Sequence, residues 1–415
     1  MMQHPIRFRL ILFAALMLAL TAPAAQSLAQ ITSPYDVRLA YVWQNTVTLA
    51  DANGVPLEQT GPSFSTGQGG RLVWSADGSR LFIAQDNALY ETGGQGGPAV
   101  QVPGAFGRTI TFTHDTGVLY YLETTAPQEE EPGIVSFPLR EANMLLLSGG
   151  TGKLAGYFGR YASGTTRANL TFAAALYARD GGLLGPGRPN LWPSYGSNLF
   201  GTCCFPDPGL GIFTLGTESY SVWDAAFLPG AAATNATQTY LAGPTTGGVI
   251  RIIDLITGGT RDYAIQIAGG LGTIERIAWS PDDTMLYFIS RYDPTTPLQL
   301  NVNTSFPVDT SSANVTLYRL NLVTGTIDKL AWRADVYGVS SLAATEEHVF
   351  ATVVDSNAAL INAFNNQVVA ASLPSSDPLL APYIPQTHLW RVAVDGSSVM
   401  DVRDDVWGLV TRPIR

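Results

Sequence analysis

Charge is scarce in this 415-residue chain: 13% of its residues are charged, about half the roughly 25% of an ordinary soluble domain. That shortage excludes an all-helical fold, whose exposed faces would need a dense Lys/Glu pattern. Cysteine is nearly absent, with Cys203 and Cys204 the only two and adjacent, so a disulfide-stapled miniprotein is excluded. Beyond the N-terminal run Leu10 to Leu20 no stretch approaches the about 20 apolar residues of a membrane span. Histidine is limited to four residues, and no G-x-S-x-G, H-E-x-x-H, phosphate-loop or calcium-loop pattern occurs. What is abundant is glycine (42), proline (26) and hydrophobic residues (46%), a composition of turns and core-forming strands. The net charge is −10, with 23 basic against 33 acidic residues, which argues against nucleic acid and anionic membranes as partners.

Residues 1–29 carry Arg7 and Arg9, then the apolar run, then small residues ending at Ser27-Leu28-Ala29. This is the pattern of a secretory signal peptide, with cleavage expected after Ala29 or, second, after Ala24; an uncleaved N-terminal anchor is the alternative. The expected mature domain is 30–415, exported to the periplasm, the cell envelope or the medium, with no membrane span. No Cys follows the apolar run, so a lipoprotein anchor is not expected.

A repeat is visible. Leu72-Val73-Trp74-Ser75-Ala76-Asp77-Gly78-Ser79-Arg80-Leu81-Phe82-Ile83 aligns with Ile277-Ala278-Trp279-Ser280-Pro281-Asp282-Asp283-Thr284-Met285-Leu286-Tyr287-Phe288. Both read strand, tight turn, strand, with Asp and Gly supplying the turn chemistry. Looser copies run from Ile110 to Tyr121 and from Ser340 to Ala351. Further alternating segments follow each clear copy: Ala88–Thr92 and Pro98–Val102 after the first, Thr316–Leu322 and Ile327–Leu330 after the second. Four short antiparallel strands per unit are the content of a propeller blade.

The W-S-x-D turn followed by such strands resembles the WD-like repeats of the TolB-like β-propeller family. The resemblance covers roughly half of the mature chain and implies the fold alone, because this architecture hosts scaffolds, receptors, lyases and hydrolases. The separate N-terminal α/β domain of that family is not expected ahead of Asp36, so its partners are not carried over. Thr171–Tyr177 and Ser221–Phe227 are read as further inner strands, the latter completed by Thr239–Ala242 and Val249–Leu255. Val406–Val410 reads as an inner strand with nothing after it, while Arg38–Val42 and Thr46–Asp51 read as second and third strands with none before. Joining the ends in one blade closes a ring and removes two sheet edges. The expectation is therefore an all-β, single β-propeller of seven four-stranded blades, with six as the alternative count and two β-sandwich domains as the alternative architecture.

Departures from the repeat mark where function is expected, since loops vary while strands hold the scaffold. Four stretches depart: Ala126–Gly133 with Glu129, Glu130 and Glu131; Asp180–Gly211; Tyr292–Asn314; and Asp355–Gln386. The long insertion at 180–211 carries the candidate binding residues Trp192, Tyr195, Phe200 and Phe205, which either stack on a ligand or pack the loop onto its blade. Cys203 and Cys204 are read as a vicinal disulfide, strained across an eight-membered ring, or as two separate thiols. No metal or cofactor is expected, since two thiols without a nearby His give too few ligands.

Three histidines follow the leader. His114 and His348 occupy equivalent turn-side places in their repeats and are read as structural; His388 falls in a strand. The acidic pairs Asp282-Asp283 and Asp404-Asp405 are assigned to turns. The leading expectation is a non-enzymatic, monomeric binding or scaffold propeller for a protein partner in the cell envelope. The alternatives are a hydrolase or lyase acting on a sugar or lactone, and a carbohydrate-binding module using Trp192, Tyr195 and Phe200.

Overall fold

Both clear copies of the repeat fold into one hydrogen-bonded turn. In the first, Ser75 Oγ donates to Asp77 Oδ1 (2.6 Å) and accepts from Arg80 N (3.0 Å), while Ser79 N and Oγ donate to the same carboxylate (3.0 and 2.8 Å). In the second, Ser280 Oγ donates to Asp282 Oδ1 (2.6 Å) and accepts from Met285 N (2.9 Å), with Thr284 in the role of Ser79. Burial works against the Asp77 carboxylate, but the hydrogen bonds from Ser75 and Ser79 outweigh it and hold its pKa at about 2. The turn needs one left-handed residue, filled by Gly78 (φ 64°) and by Asp283 (φ 59°), a conformation open to Gly and tolerated by Asp. A third copy is Asn235–Tyr240: Asn235 Oδ1 accepts from Thr239 N and Tyr240 N, both at 2.9 Å, and Gln238 is left-handed (φ 57°).

The structure, a computed structural model, describes residues 36–63, 71–75, 77–85, 88–102, 110–112, 118–122, 128–131, 134–143, 153–162, 177–179, 182–186, 210–214, 219–228, 231–265, 273–292, 313–355 and 386–413; from 110 to 223 it describes the backbone alone, Leu210 excepted. The leader, residues 1–29, and His114 lie outside the described residues. The chain divides into two units, Met1–Asp36 and Val37–Arg415, and every described strand lies in the second. Those strands are antiparallel throughout.

The first sheet holds β1 (Leu39–Trp43), β2 (Thr46–Ala50) and β3 (Pro56–Thr60). The second is β4 (Arg71–Trp74), β5 (Arg80–Gln85), β6 (Ala88–Gly93) and β7 (Gly96–Val102), paired in that order. The third holds β8 (Ile110–Phe112), β9 (Val118–Leu122), β10 (Gln128–Glu131), β11 (Ile134–Asn143) and β12 (Lys153–Ala162); its third strand, β11, pairs with β9 and extends beyond it to pair with β10. The fourth runs through β13 (Tyr177–Arg179), β14 (Gly182–Pro186), β15 (Leu210–Thr214) and β16 (Ser219–Asp224), and the fifth through β17 (Ala233–Thr234), β18 (Tyr240–Pro244), β19 (Val249–Asp254) and β20 (Thr260–Ala264). The sixth has seven strands: β21 (Thr273–Trp279), β22 (Met285–Tyr292), β23 (Ala313–Asn321), β24 (Ile327–Ala344), β25 (His348–Asp355), β26 (Thr387–Ala393) and β27 (Val399–Asp404). The last strand, β28 (Val406–Thr411), pairs with β1 and completes the first sheet in the order β28-β1-β2-β3. The complementary chain ends thus meet as expected.

This is an all-β architecture of four-stranded antiparallel units of the propeller type. β24 is the reason one sheet has seven strands. Its N-terminal part pairs with β23 as far as Val336, and from Val336 onward it pairs with β25, so it is the fourth strand of one unit and the first of the next. The first strands of successive units lie beside one another: β28 by β4, β4 by β8, β8 by β13, β17 by β21, β21 by β24 and β24 by β28.

Two expectations are corrected. Ser221–Phe227 does not supply the inner strand of the fifth sheet: its first residues belong to β16, the last strand of the fourth sheet, and the inner strand is the two-residue β17. The alternating apolar residues that suggested an inner strand suit an outer one equally. Gly182–Pro186, inside the stretch read as an insertion, is strand β14; its glycines and proline hid it.

Among the described side chains, those of second strands are buried on both faces, most completely in β5 and β1. Leu81, Phe82, Ile83 and Ala84 of β5 are all inaccessible, as are Leu39, Ala40 and Tyr41 of β1. Fourth strands such as β20 and β27 are largely exposed. The apolar clusters accordingly lie between sheets: Val47 and Leu49 against Leu72, Trp74 and Leu81; Ile250 and Ile252 against Ile277, Trp279 and Phe288; Tyr41 and Leu39 against Phe350 and Leu389.

Past β28 the chain is latched. Arg412 Nε donates to Gly78 O (2.8 Å) and Nη1 to Val37 O (3.2 Å), its backbone N donates to Arg38 O (2.8 Å), and its guanidinium lies 5.9 Å from the Trp74 ring centroid. Pro413 O packs onto Gly78 so closely that no Cβ would fit there. Arg412→Ala removes a charged donor from two backbone carbonyls and is expected to cost about 2 kcal/mol, read as a lower urea midpoint at unchanged m-value.

Candidate functional site

The four departures from the repeat share one position. Described strands place 123–133 between β9 and β11, 187–209 between β14 and β15, 293–312 between β22 and β23, and 356–386 between β25 and β26. Each is the connection from the second to the third strand of its unit. The corresponding connection of the first sheet is the two-residue turn Gln44-Asn45, left-handed at both residues (φ 49° and 61°), and that of the fifth is the short Thr245–Gly248 turn. Trp192, Tyr195, Phe200, Cys203, Cys204 and Phe205 all fall within 187–209 and lie outside the described residues.

Where 356–386 joins the sheet, strand register gathers charged side chains that are distant in sequence. β25 ends at Asp355, β26 begins beside His388, and β27 ends at Asp404. His388 Nε2 is 2.6 Å from Asp355 Oδ2 and its Nδ1 is 2.7 Å from Asp404 Oδ1. Arg333, near the end of the part of β24 paired with β23, donates to Asp355 Oδ1 (3.5 Å) and to Asp401 Oδ1. The result is a row of alternating charge, Asp401–Arg333–Asp355–His388–Asp404, that crosses from one unit to the next. His388 is 14% exposed, Asp355 38% and Asp404 74%, so the row is covered at its centre and open at the Asp404 end.

Burial pushes the His388 pKa down, but the hydrogen bonds to Asp404 and Asp355 outweigh it and the net shift is upward. A carboxylate at each nitrogen favours the doubly protonated ring, and in that form the imidazole has no lone pair to offer a substrate. On β21, Glu275 accepts from Arg291 Nε and from Val339 N (2.9 Å), while Arg276 Nε donates to Ser340 O (3.0 Å). These bonds tie β21 and β22 to the inner part of β24.

His348 sits at the opposite end of β25, in the Thr345–His348 turn, where its backbone N donates to Thr345 Oγ1 (3.1 Å). Its ring is tilted against Phe350 at 5.9 Å, and burial, with Arg391 adding to it, lowers its pKa. That is the structural role expected of it. Asp282 and Asp283 serve their turn, and Asp283 Oδ2 also accepts from Asn235 Nδ2 (2.8 Å) of the fifth sheet. Asp405 occupies the left-handed position (φ 58°) between β27 and β28, its N donating to Thr387 O (2.8 Å). Sequence reasoning missed the grouping of Arg333, Asp355 and Asp401: they lie on three different strands far apart in the chain, and only the register of β24 to β27 brings them to His388. Among the described residues no group of three or more His, Cys, Asp or Glu side chains converges as metal ligands, and no helix is long and apolar enough to cross a membrane.

The strand order and the repeated turn give the chain an all-β architecture of the propeller type. No protein-family model matches the sequence, and no curated protein matches it. Among solved structures it is similar to a putative TolB from Agrobacterium tumefaciens (12% identity, 89% of each chain covered, TM-score 0.35). It is also similar to a periplasmic gluconolactonase of Pseudomonas aeruginosa (11% identity, 91% of this chain and 99% of that one, TM-score 0.44) and to a putative 6-phosphogluconolactonase from Bacteroides uniformis (12% identity, 91% and 98%, TM-score 0.44). The fold stands on this chain's own strand pairings.

Arg333 joins two units through a partly buried ion pair, so Arg333→Met strands Asp401 and weakens the hold on Asp355. The expected loss is about 1 to 2 kcal/mol, between the value of an exposed pair and that of a buried one. Urea unfolding at low and high salt checks it: the difference from wild type shrinks as salt screens the pair.

Proposed function

We propose that the chain is an exported, non-enzymatic binding protein that holds a protein partner in the cell envelope through its second-to-third connections. The observation that carries this reading is that the three longest connections, 187–209, 293–312 and 356–386, share one topological position, while the described first-to-second turns stay short and two of them repeat the same hydrogen bonds. A scaffold that varies at one end of its strands and is constant at the other is built to present a surface. The aromatic residues Trp192, Tyr195, Phe200 and Phe205 on the 187–209 connection suit protein contact, where rigid aromatic side chains anchor interfaces.

The same reading takes the two parts of the seven-stranded sheet as separate blades, giving seven, with β28 and β1 closing the ring. The order in which first strands neighbour one another supports it. The leader pattern at 1–29 supports export, and the paired state of His388 favours a binding role over general-base chemistry.

The test replaces 187–209 with a short Gly/Ser linker. The wild-type chain, cross-linked in native envelopes, is expected to capture a saturable protein partner that the linker variant loses while keeping the wild-type urea midpoint. Turnover of sugar lactones by the wild-type chain above the uncatalysed rate, with no partner captured, would overturn the proposal in favour of a hydrolase.

A further inference from the structure

We propose that Asp355, His388 and Asp404 form a proton-operated clasp, closed when His388 is charged and opened at the Asp404 side when it is neutral. The inference rests on counting donors. Two carboxylates lie 2.6 and 2.7 Å from the two ring nitrogens, and an acceptor-only carboxylate needs an N–H at each. The charged ring has two N–H groups and the neutral ring one. Once the proton leaves, one carboxylate faces a nitrogen lone pair at hydrogen-bond distance, and that contact must open.

The surroundings decide which one. Asp355 is also held by Arg333 Nη2 (3.5 Å) and is the more covered of the two, whereas the Asp404 side chain is 74% exposed and has water to turn to. The other charged groups beside the clasp are Arg333 on β24, itself bonded to Asp401 on β27, and Arg403 and Asp405 on either side of Asp404. Arg333 is committed to the Asp355 side and the Arg403 guanidinium lies over the Trp43 ring, 4.0 Å from its centroid, so neither takes the place of His388 for Asp404. The carboxylates raise the His388 pKa above its ordinary 6.5 despite burial. A group whose folded pKa is raised adds stability that is fully present below the unfolded value and lost as pH rises through the folded one.

The clasp ties three strand ends: the two that flank residues 356–386, and the end of β27 just before β28. Its opening therefore acts on the approach to the strand that joins the chain's ends, and on the root of one of the insertions. On the reading of the chain as exported, the region meets the pH of its surroundings directly, and the device makes it responsive to a rise in pH. It is independent of what the insertions bind.

The test is a titration of the full chain with 15N-labelled histidine, His388 being assigned by the loss of its signals in His388→Gln. The expected result is a doubly protonated ring at about pH 6 that titrates above the ordinary imidazole value, with a lower midpoint in Asp404→Asn. In parallel, the thermal-midpoint difference between wild type and Asp404→Asn is expected to be largest below the ordinary imidazole value and to shrink as pH rises through the folded midpoint of His388. Asp404 is exposed and its variant keeps the side-chain shape, so the comparison stands even if His388→Gln folds poorly. A neutral tautomer at about pH 6, a midpoint unmoved by Asp404→Asn, or a thermal difference constant across that rise in pH would each overturn the proposal.

Discussion

The antiparallel pairing of β28 with β1 is the interaction on which the remaining structure depends. It joins residues Val406–Thr411 to Leu39–Trp43, so the first sheet exists only when both ends of the chain are in place. Without β28, β1 would present a row of unpaired backbone groups beside the buried side chains of Leu39 and Tyr41, an edge costly to expose and prone to wrong pairing. Around this seam the polar bonds cluster. Leu409 N donates to Ser341 Oγ (3.3 Å), Arg391 Nη1 to Asn53 O (2.8 Å), Thr345 Oγ1 to Ala52 O (3.1 Å), and Arg412 reaches the turn of the second sheet. The seam therefore ties the first sheet to the units on both sides of it.

A second constraint follows from the low charge content. Sheets stacked on their neighbours bury both faces of their second strands, which leaves little surface that needs charge and explains the composition. Several of the charged residues that do occur bridge one unit to another. Arg251 binds Asp224 (2.7 Å) at the end of β16 as well as Asp262 (2.6 Å) of its own sheet, Arg319 donates to Val394 O (3.0 Å), and Arg333 reaches Asp401. Apolar packing supplies cohesion without direction, and these bonds fix how one sheet is set against the next.

Much of this was legible in the sequence because the turn is local. Ser75, Asp77 and Ser79 define their hydrogen bonds within a few residues, and the same spacing recurs at Ser280, Asp282 and Thr284, so the repeat, the strand type and the meeting of the chain ends could be read directly. The Asn235 turn was not recognised, because Asn235 and Thr237 reach the same backbone geometry with different side chains. The inner strand beside it, Ala233–Thr234, is too short to show periodicity, and the apolar residues of β16 drew the assignment instead. The charged row was illegible for the opposite reason. Arg333 and Asp401 are 68 positions apart, Asp355 and His388 are 33 apart, and nothing local to any of them predicts the others; only the register across β24 to β27 does.

The unbroken course of β24 sets a further condition. Elsewhere in the described residues, successive units are joined by a connection between the fourth strand of one and the first strand of the next, and such a joint can hinge or fray while each sheet keeps its own ladder. Between β23 and β25 there is no such joint: Ile327–Ala344 is one strand whose two ends belong to different ladders. Detaching one unit drags on the hydrogen bonds of the other, so this third of the chain opens as a single cooperative block, and its amides exchange with solvent together while those of the separately laddered sheets exchange at their own rates.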